Sequence, residues 1–172
     1  FIIVGAMSPT TLAATIAQQN AESLFAIAYA QMVNPGTPCI QGPFLPNVDM
    51  KTGAPAFGTP DYVRATQMTG QLARFYGLPL RSSNTCAANT PDNQATWESM
   101  MSLWAAVTSG TNMVYHAAGW LEGGLCASFE KFVMDADQLG TLHKMAQGVT
   151  VNEDTLAMDA IREVGPGGHY LG

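Results

Sequence analysis

Tyr115-His-Ala-Ala-Gly-Trp-Leu-Glu-Gly-Gly-Leu-Cys126 ends an apolar run over residues 112–117 in glycines, aromatic rings and polar groups. Ala127-Ser128 then opens a helical pattern through Phe129, Phe132, Val133 and Ala136 towards Gln147. A strand, a glycine-rich loop and a helix in direct succession make one βα unit, and the loop after the strand is where α/β folds keep their chemistry.

Three similar units precede it. Residues 1–7 form an apolar run, after which Ser8-Pro9 predicts an N-cap and first-turn proline for a helix to about Met32. Residues 39–44 form a short second strand, and a long loop through Pro46, Gly53, Pro55 and Gly58 leads to Thr59-Pro60-Asp61, which caps a second helix to about Tyr76. Gly77 ends that helix, residues 78–83 give a third strand, and Thr90-Pro91-Asp92 caps a third helix. On it Trp97, Met100, Met101, Leu103 and Trp104 recur at helical spacing, and both tryptophans read as core. After the fourth helix, Asn152-Glu-Asp-Thr155 caps a fifth that ends near Val164. Thr-Pro-Asp recurs 31 residues apart, about the length of one βα unit.

Apolar strands alternating with amphipathic helices predict a parallel sheet covered by helices, either a doubly wound sheet or a barrel. The turn after the first strand, Gly5-Ala-Met-Ser-Pro-Thr10, lacks the G-x-G-x-x-G phosphate cradle of a dinucleotide fold, and the loops after the strands are long and chemically varied. The expected class is therefore an α/β fold of the (β/α)8 TIM-barrel type, with about four βα units in one partial domain over residues 1–172. The chain begins inside a strand and ends inside the loop Gly165-Pro-Gly-Gly-His-Tyr-Leu-Gly172, so a fragment of a longer protein is expected.

With 172 residues, 47% apolar and 12% charged, the chain has room for one real core. Its formal charge of −6 and lack of a basic cluster argue against nucleic acid or an anionic membrane as partner, which leaves small molecules and proteins. Cys39, Cys86 and Cys126 lie far apart without metal-ligand spacing and read as reduced thiols in a cytoplasmic protein. The longest apolar region, residues 12–33, is interrupted by Gln18, Gln19, Asn20 and Glu22, which hydrocarbon would not accept.

Parallel strands would bring the following loops to one face, carrying Met7, Ser8, Gln41, Phe44, Ser82, Ser83, Asn84, Thr85, Tyr115, His116, Trp120 and Glu122, with His169 and Tyr170 after the fifth helix. His116, at a strand end, reads as a general acid or base, a substrate contact or a hydrogen-bonded structural residue; with H-x-x-x-H and H-x-H absent, a metal site is not expected. Glu122, beside Trp120 and two glycines, reads as a partner for a cation or a solvated loop carboxylate. Cys86 and Cys126 fall in the same loops, without a histidine next to either.

Gly123-Gly-Leu-Cys-Ala-Ser-Phe-Glu-Lys-Phe-Val-Met-Asp135, Val151-Asn-Glu-Asp-Thr-Leu-Ala157, Ile161-Arg-Glu-Val-Gly-Pro-Gly-Gly-His-Tyr-Leu-Gly172 and the helix start Pro91-Asp-Asn-Gln-Ala95 resemble the C-terminal half of the trimethylamine methyltransferase family. The resemblance is strong from about residue 90 onward and looser before it. It implies a (β/α)8 barrel that moves a methyl group from a tertiary or quaternary amine to the Co(I) corrinoid of a separate protein. It also implies that the chain itself binds no cofactor directly. No pyrrolysine appears, which implies a non-pyrrolysine member, similar to glycine betaine methyltransferases, if that position falls within these residues.

On this reading Phe44, Tyr115, Trp120 and Tyr170 wall a site for the ammonium through cation–π attraction. Gln41, Asn84, His116 and His169 are placed to hydrogen-bond a substrate carboxylate, Glu122 offsets positive charge, and His116 and Glu122 are the catalytic candidates. An inert or binding-only fragment and a barrel enzyme of another class are the alternatives. Unpaired sheet edges predict a homo-oligomer.

Overall fold

Helix starts fall where polar caps stand in the sequence, and the computed structural model, which describes residues 1–171, shows the caps at work. In chain order the elements are α1 (Leu12–Val33), β1 (Asn47–Val48), β2 (Pro55–Ala56), α2 (Pro60–Tyr76), β3 (Arg81–Ser83), α3 (Asn93–Thr108), β4 (Met113–Tyr115), β5 (Trp120–Leu121), a 3₁₀ turn (Glu122–Gly124), β6 (Cys126–Ala127), α4 (Phe129–Ala146), α5 (Glu153–Leu156) and α6 (Met158–Val164). Thr59 accepts from the Tyr62 N–H, Asp92 from Ala95, Ser128 from Lys131 and Asn152 from Thr155. The two Thr-Pro-Asp tripeptides work differently: in the first the threonine is the cap, in the second the aspartate.

Four extended segments lie side by side in chain order. Ile2 and Val4 donate to the carbonyls of Phe44 and Pro46, and Gln41 bridges Leu80 in parallel. β3 pairs in parallel with β4, Ser83 opposite Tyr115. Alternation along these segments separates two faces. Ile2, Val4, Leu45 and Leu80 are buried on one; Ile2, Val4 and Leu45 pack with Ile16 of α1 and Ala65 of α2. Phe1, Arg81 and Tyr115 stand on the other, with Phe1 62% and Tyr115 48% exposed. α2 and α3 approach closely through small residues, since a Cβ on Gly70 would sit 2.5 Å from the Ser109 carbonyl.

The class is therefore α/β with parallel pairing between successive units, and no closed barrel forms among the described residues. Several details depart from expectation. The first strand shrinks because Gly5, at φ 87°, turns the chain so that Ala6 and Met7 both donate to the Ile3 carbonyl. The second is reduced because Pro43 and Pro46 have no N–H for a ladder. α1 begins at Leu12 rather than Ser8-Pro9, and Ser8 Oγ bonds the Pro9 carbonyl and Thr15 Oγ1 instead. The fifth helix is broken at Ala157, which takes a left-handed conformation. Trp97 and Trp104 are exposed, because α3 turns Ala95, Ser99, Ser102, Leu103, Ala105 and Ala106 inward.

Candidate active site

The register that sets Ser83 beside Tyr115 ends both parallel strands at one level, and the next residues, Asn84 and His116, begin the site. His116 leaves the ladder at φ 51°. Its Nδ1 lies 3.4 Å from Ser83 Oγ, and its ring meets Trp120 edge to face with centroids 4.3 Å apart. A non-glycine residue with φ near 50° is uncommon, and such strain concentrates at functional sites. Glu122, the other catalytic candidate, has the same φ of 51°.

Trp120 opens β5, which pairs antiparallel with β6 through the turn Glu122–Gly124. A Cβ on Gly124 would lie 2.7 Å from Trp120 Cζ2, so the indole occupies the space that glycine leaves. Behind it an aromatic cluster builds up: Trp120 lies 6.3 Å from Phe44 and 6.1 Å from Phe57, and Phe44 lies 5.4 Å from Phe57, 6.0 Å from Tyr62 and 5.2 Å from Phe1, centroid to centroid. In front of it is a cavity of about 570 Å³ lined by His116, Trp120, Gly123, Gly124 and Cys126. That is the size range of small-molecule sites.

The loop between these rings is held by its neighbours. Asn84 Nδ2 donates to the Ala117 carbonyl at 2.9 Å, the Cys86 thiol to the Trp120 carbonyl at 3.0 Å, and the Glu122 N–H to the Ala88 carbonyl. Glu98 of α3 accepts from the Ala87 and Ala88 N–H groups at 2.6 and 3.0 Å, which fixes the strip beneath. Asn84 Oδ1 and Trp120 Nε1 are buried with no partner among the described residues, a state that costs free energy until a ligand or water supplies one.

Electrostatics follow from burial and one cation. The Arg81 guanidinium lies 4.6 Å from the Tyr115 ring centroid, and no carboxylate pairs with it among the described residues. Burial first, and the Arg81 charge second, hold His116 below the usual imidazole range, so the ring is neutral at neutral pH. Burial pushes the Cys86 thiol up to about 11. Cys126 is also raised, by desolvation and then by Glu122, whose carboxylate accepts its S–H at 3.7 Å. Neither thiol is an activated nucleophile. No group of His, Cys, Asp and Glu that could hold a metal ion occurs among the described residues, and none of their helices is long and apolar enough to cross a membrane.

Of the candidates read from sequence, Phe44, Asn84, Tyr115, His116 and Trp120 come together. Glu122 sits at the rim, exposed. Gln41 lies at the amino end of its segment, opposite Leu80, where it lines a second concavity of about 540 Å³ with Arg81 and Tyr115, and both polar atoms of its amide are buried with no partner among the described residues. His169 and Tyr170 are exposed in the coil after α6, and no ring contact joins them to the cluster. Phe57, Tyr62, Arg81 and Asp135 were missed. Phe57 and Tyr62 flank the Thr59 cap and could have been paired with Phe44 by that signal; Arg81 and Asp135 gave none, because their roles depend on register and on helix packing.

The chain matches the family model for trimethylamine methyltransferase over residues 1–172. It belongs to the trimethylamine methyltransferase family. It is 44% identical over 171 residues to a glycine betaine methyltransferase of Desulfitobacterium hafniense (strain Y51), covering 99% of this chain and 36% of that protein. It is 39% identical over 168 residues to a trimethylamine methyltransferase of Methanosarcina acetivorans, covering 97% of this chain and 34% of that one. A trimethylamine methyltransferase of Desulfitobacterium hafniense (strain DSM 10664 / DCB-2) is 31% identical over 168 residues. The chain thus spans about a third of the length of the curated relatives it matches.

Proposed function

We propose that this protein takes a methyl group from a quaternary amine bearing a carboxylate, of the glycine betaine type, and passes it to the Co(I) corrinoid of a separate protein. The four parallel segments belong, on this reading, to a (β/α)8 barrel. A cation–π surface is what a quaternary ammonium needs, since it cannot donate a hydrogen bond. Trp120, which lines the cavity and is backed by Phe44 and Phe57, provides one.

Arg81 favours one class of amine. An unpaired guanidinium one ring away from His116 matches a carboxylate on the same substrate, and trimethylamine carries none. The neutral state of His116 keeps a second positive charge away from the ammonium. The cavity floor of glycine suits close approach by a large flat acceptor, and the corrinoid, when docked, supplies the nucleophile that receives the methyl. The chain's own residues bind the zwitterion, exclude water from it and aim the methyl outwards; the leaving amine is neutral and needs no proton. Self-association across the unpaired sheet edges completes the proposal.

The observation that carries this reading is the succession of contacts from Trp120 and His116, which line the cavity, through the Tyr115 ring to Arg81 in the adjoining concavity. Cobalamin methylation by the full-length protein, measured with glycine betaine and with trimethylamine, tests it. Turnover with the betaine is expected; turnover with trimethylamine alone would overturn the substrate class.

A further inference from the structure

Lys131 and Asp135 stand one turn apart on α4 with no exposed surface, paired with one another. Lys131 Nζ also donates to Ser99 Oγ of α3 at 2.7 Å. Burying two charges is expensive, and apolar residues of similar volume commonly hold two helices as well or better. Their retention is accounted for by the second carboxylate oxygen. Asp135 Oδ2 accepts the Gly119 N–H at 2.9 Å, between His116 and Trp120.

That segment, Ala117-Ala-Gly119, has no side chain able to fix itself, and Gly119 takes φ 91°. The peptide groups on both sides of Ala118 are fixed from outside: Asn84 holds the Ala117 carbonyl, Asp135 the Gly119 N–H, and the Ser128 N–H the Gly119 carbonyl at 3.1 Å. A charge-assisted hydrogen bond is about twice as strong as a neutral one, and Lys131 Nζ pairs with the same carboxylate that accepts the Gly119 N–H. We infer that Asp135, with Lys131 as its buried charge partner, is a positioning residue that sets the His116 and Trp120 rings through the Gly119 peptide. Its kinetic consequence rests on the methyl-transfer reading; its structural consequence does not.

Two double variants of the full-length protein separate positioning from simple helix packing. Lys131→Met with Asp135→Asn removes both charges but leaves an amide oxygen for the Gly119 N–H. Lys131→Met with Asp135→Leu removes the acceptor as well. Both are expected to melt near the parent temperature. The first keeps kcat within about threefold, while the second loses about tenfold to a hundredfold in kcat with KM little changed, the scale of a small misplacement of reacting groups. Independently of activity, the Gly119 amide should exchange slowly with solvent in the parent and the Met/Asn pair and fast in the Met/Leu pair, and the His116 ring resonances should lose the ring-current shift from Trp120 only in the latter. If the Met/Leu pair does not fold, Lys131→Met with Asp135→Ser, whose hydroxyl is too short to reach Gly119, replaces it with the same expectation. Equal kcat, equal Gly119 exchange and equal ring shifts in both pairs would overturn the inference. Loss of turnover in every form, with the exchange difference intact, would instead count against the reaction assigned to the site.

Discussion

Tyr115-His116 and His169-Tyr170 place the same two side chains within four residues of a glycine, yet the structure treats them oppositely. The first pair ends a strand whose neighbour fixes its level, and its rings lie in a row between Arg81 and Trp120 at centroid distances of 4.6, 5.5 and 4.3 Å. The second pair follows α6 in exposed coil, without a strand beneath it. Residue type and a glycine neighbourhood do not by themselves bring side chains together; a strand end in register and a loop held by buried side chains do.

The contrast can be broken most sharply at Trp120. Trp120→Ala removes a cation–π wall and its packing on Phe44 and Phe57, worth about 2 to 3 kcal/mol together, so kcat/KM should fall by about 30-fold to 150-fold. Arg81→Met should raise KM for glycine betaine by about tenfold or more, the value of a charge-assisted hydrogen bond, and leave binding of a carboxylate-free quaternary amine unchanged. Gly124→Ala drives a Cβ into the indole and puts a side chain at φ 93°, which should cost about 1 to 2 kcal/mol in thermal stability and shift the Trp120 emission. His169→Ala and Tyr170→Phe should change kcat/KM by less than twofold. A larger effect at the second pair than at the first would reverse the comparison.

His116 adds a pH dependence. Its folded pKa is depressed, so above the unfolded value of 6.5 the ring is neutral in both states and contributes nothing to stability. As the pH falls below that value the unfolded chain takes the proton first, and stability drops until the folded pKa is passed. Amine binding should weaken over the same acidic window as the ring gains charge. Chemical denaturation and betaine affinity from pH 7.5 to 5 check both, and His116→Gln should flatten each curve.

Much of this was legible in the residues. The caps at Thr59, Asp92, Ser128 and Asn152 act locally, through hydrogen bonds three residues away, so the helix starts could be read without knowing the fold. Tyr115, His116 and Trp120 were legible because a strand end followed by glycines marks a loop. Gln41 was read as a loop residue, but its segment starts there rather than ends, a matter of register that depends on Leu80, far along the chain. Trp97 and Trp104 misled because helical spacing fixes a face but not which face packs, and α3 packs with its small one. The Lys131–Asp135 pair was hidden for a similar reason: on sequence an i,i+4 pair of opposite charges reads as solvated surface.

The row from Arg81 to Trp120 is the central claim, and its most direct test is calorimetric titration of the full-length protein with glycine betaine, beside the Arg81→Met and Trp120→Ala variants. Binding in the parent, weakened by about tenfold or more in each variant, is the predicted result. Undiminished binding in both variants would contradict it.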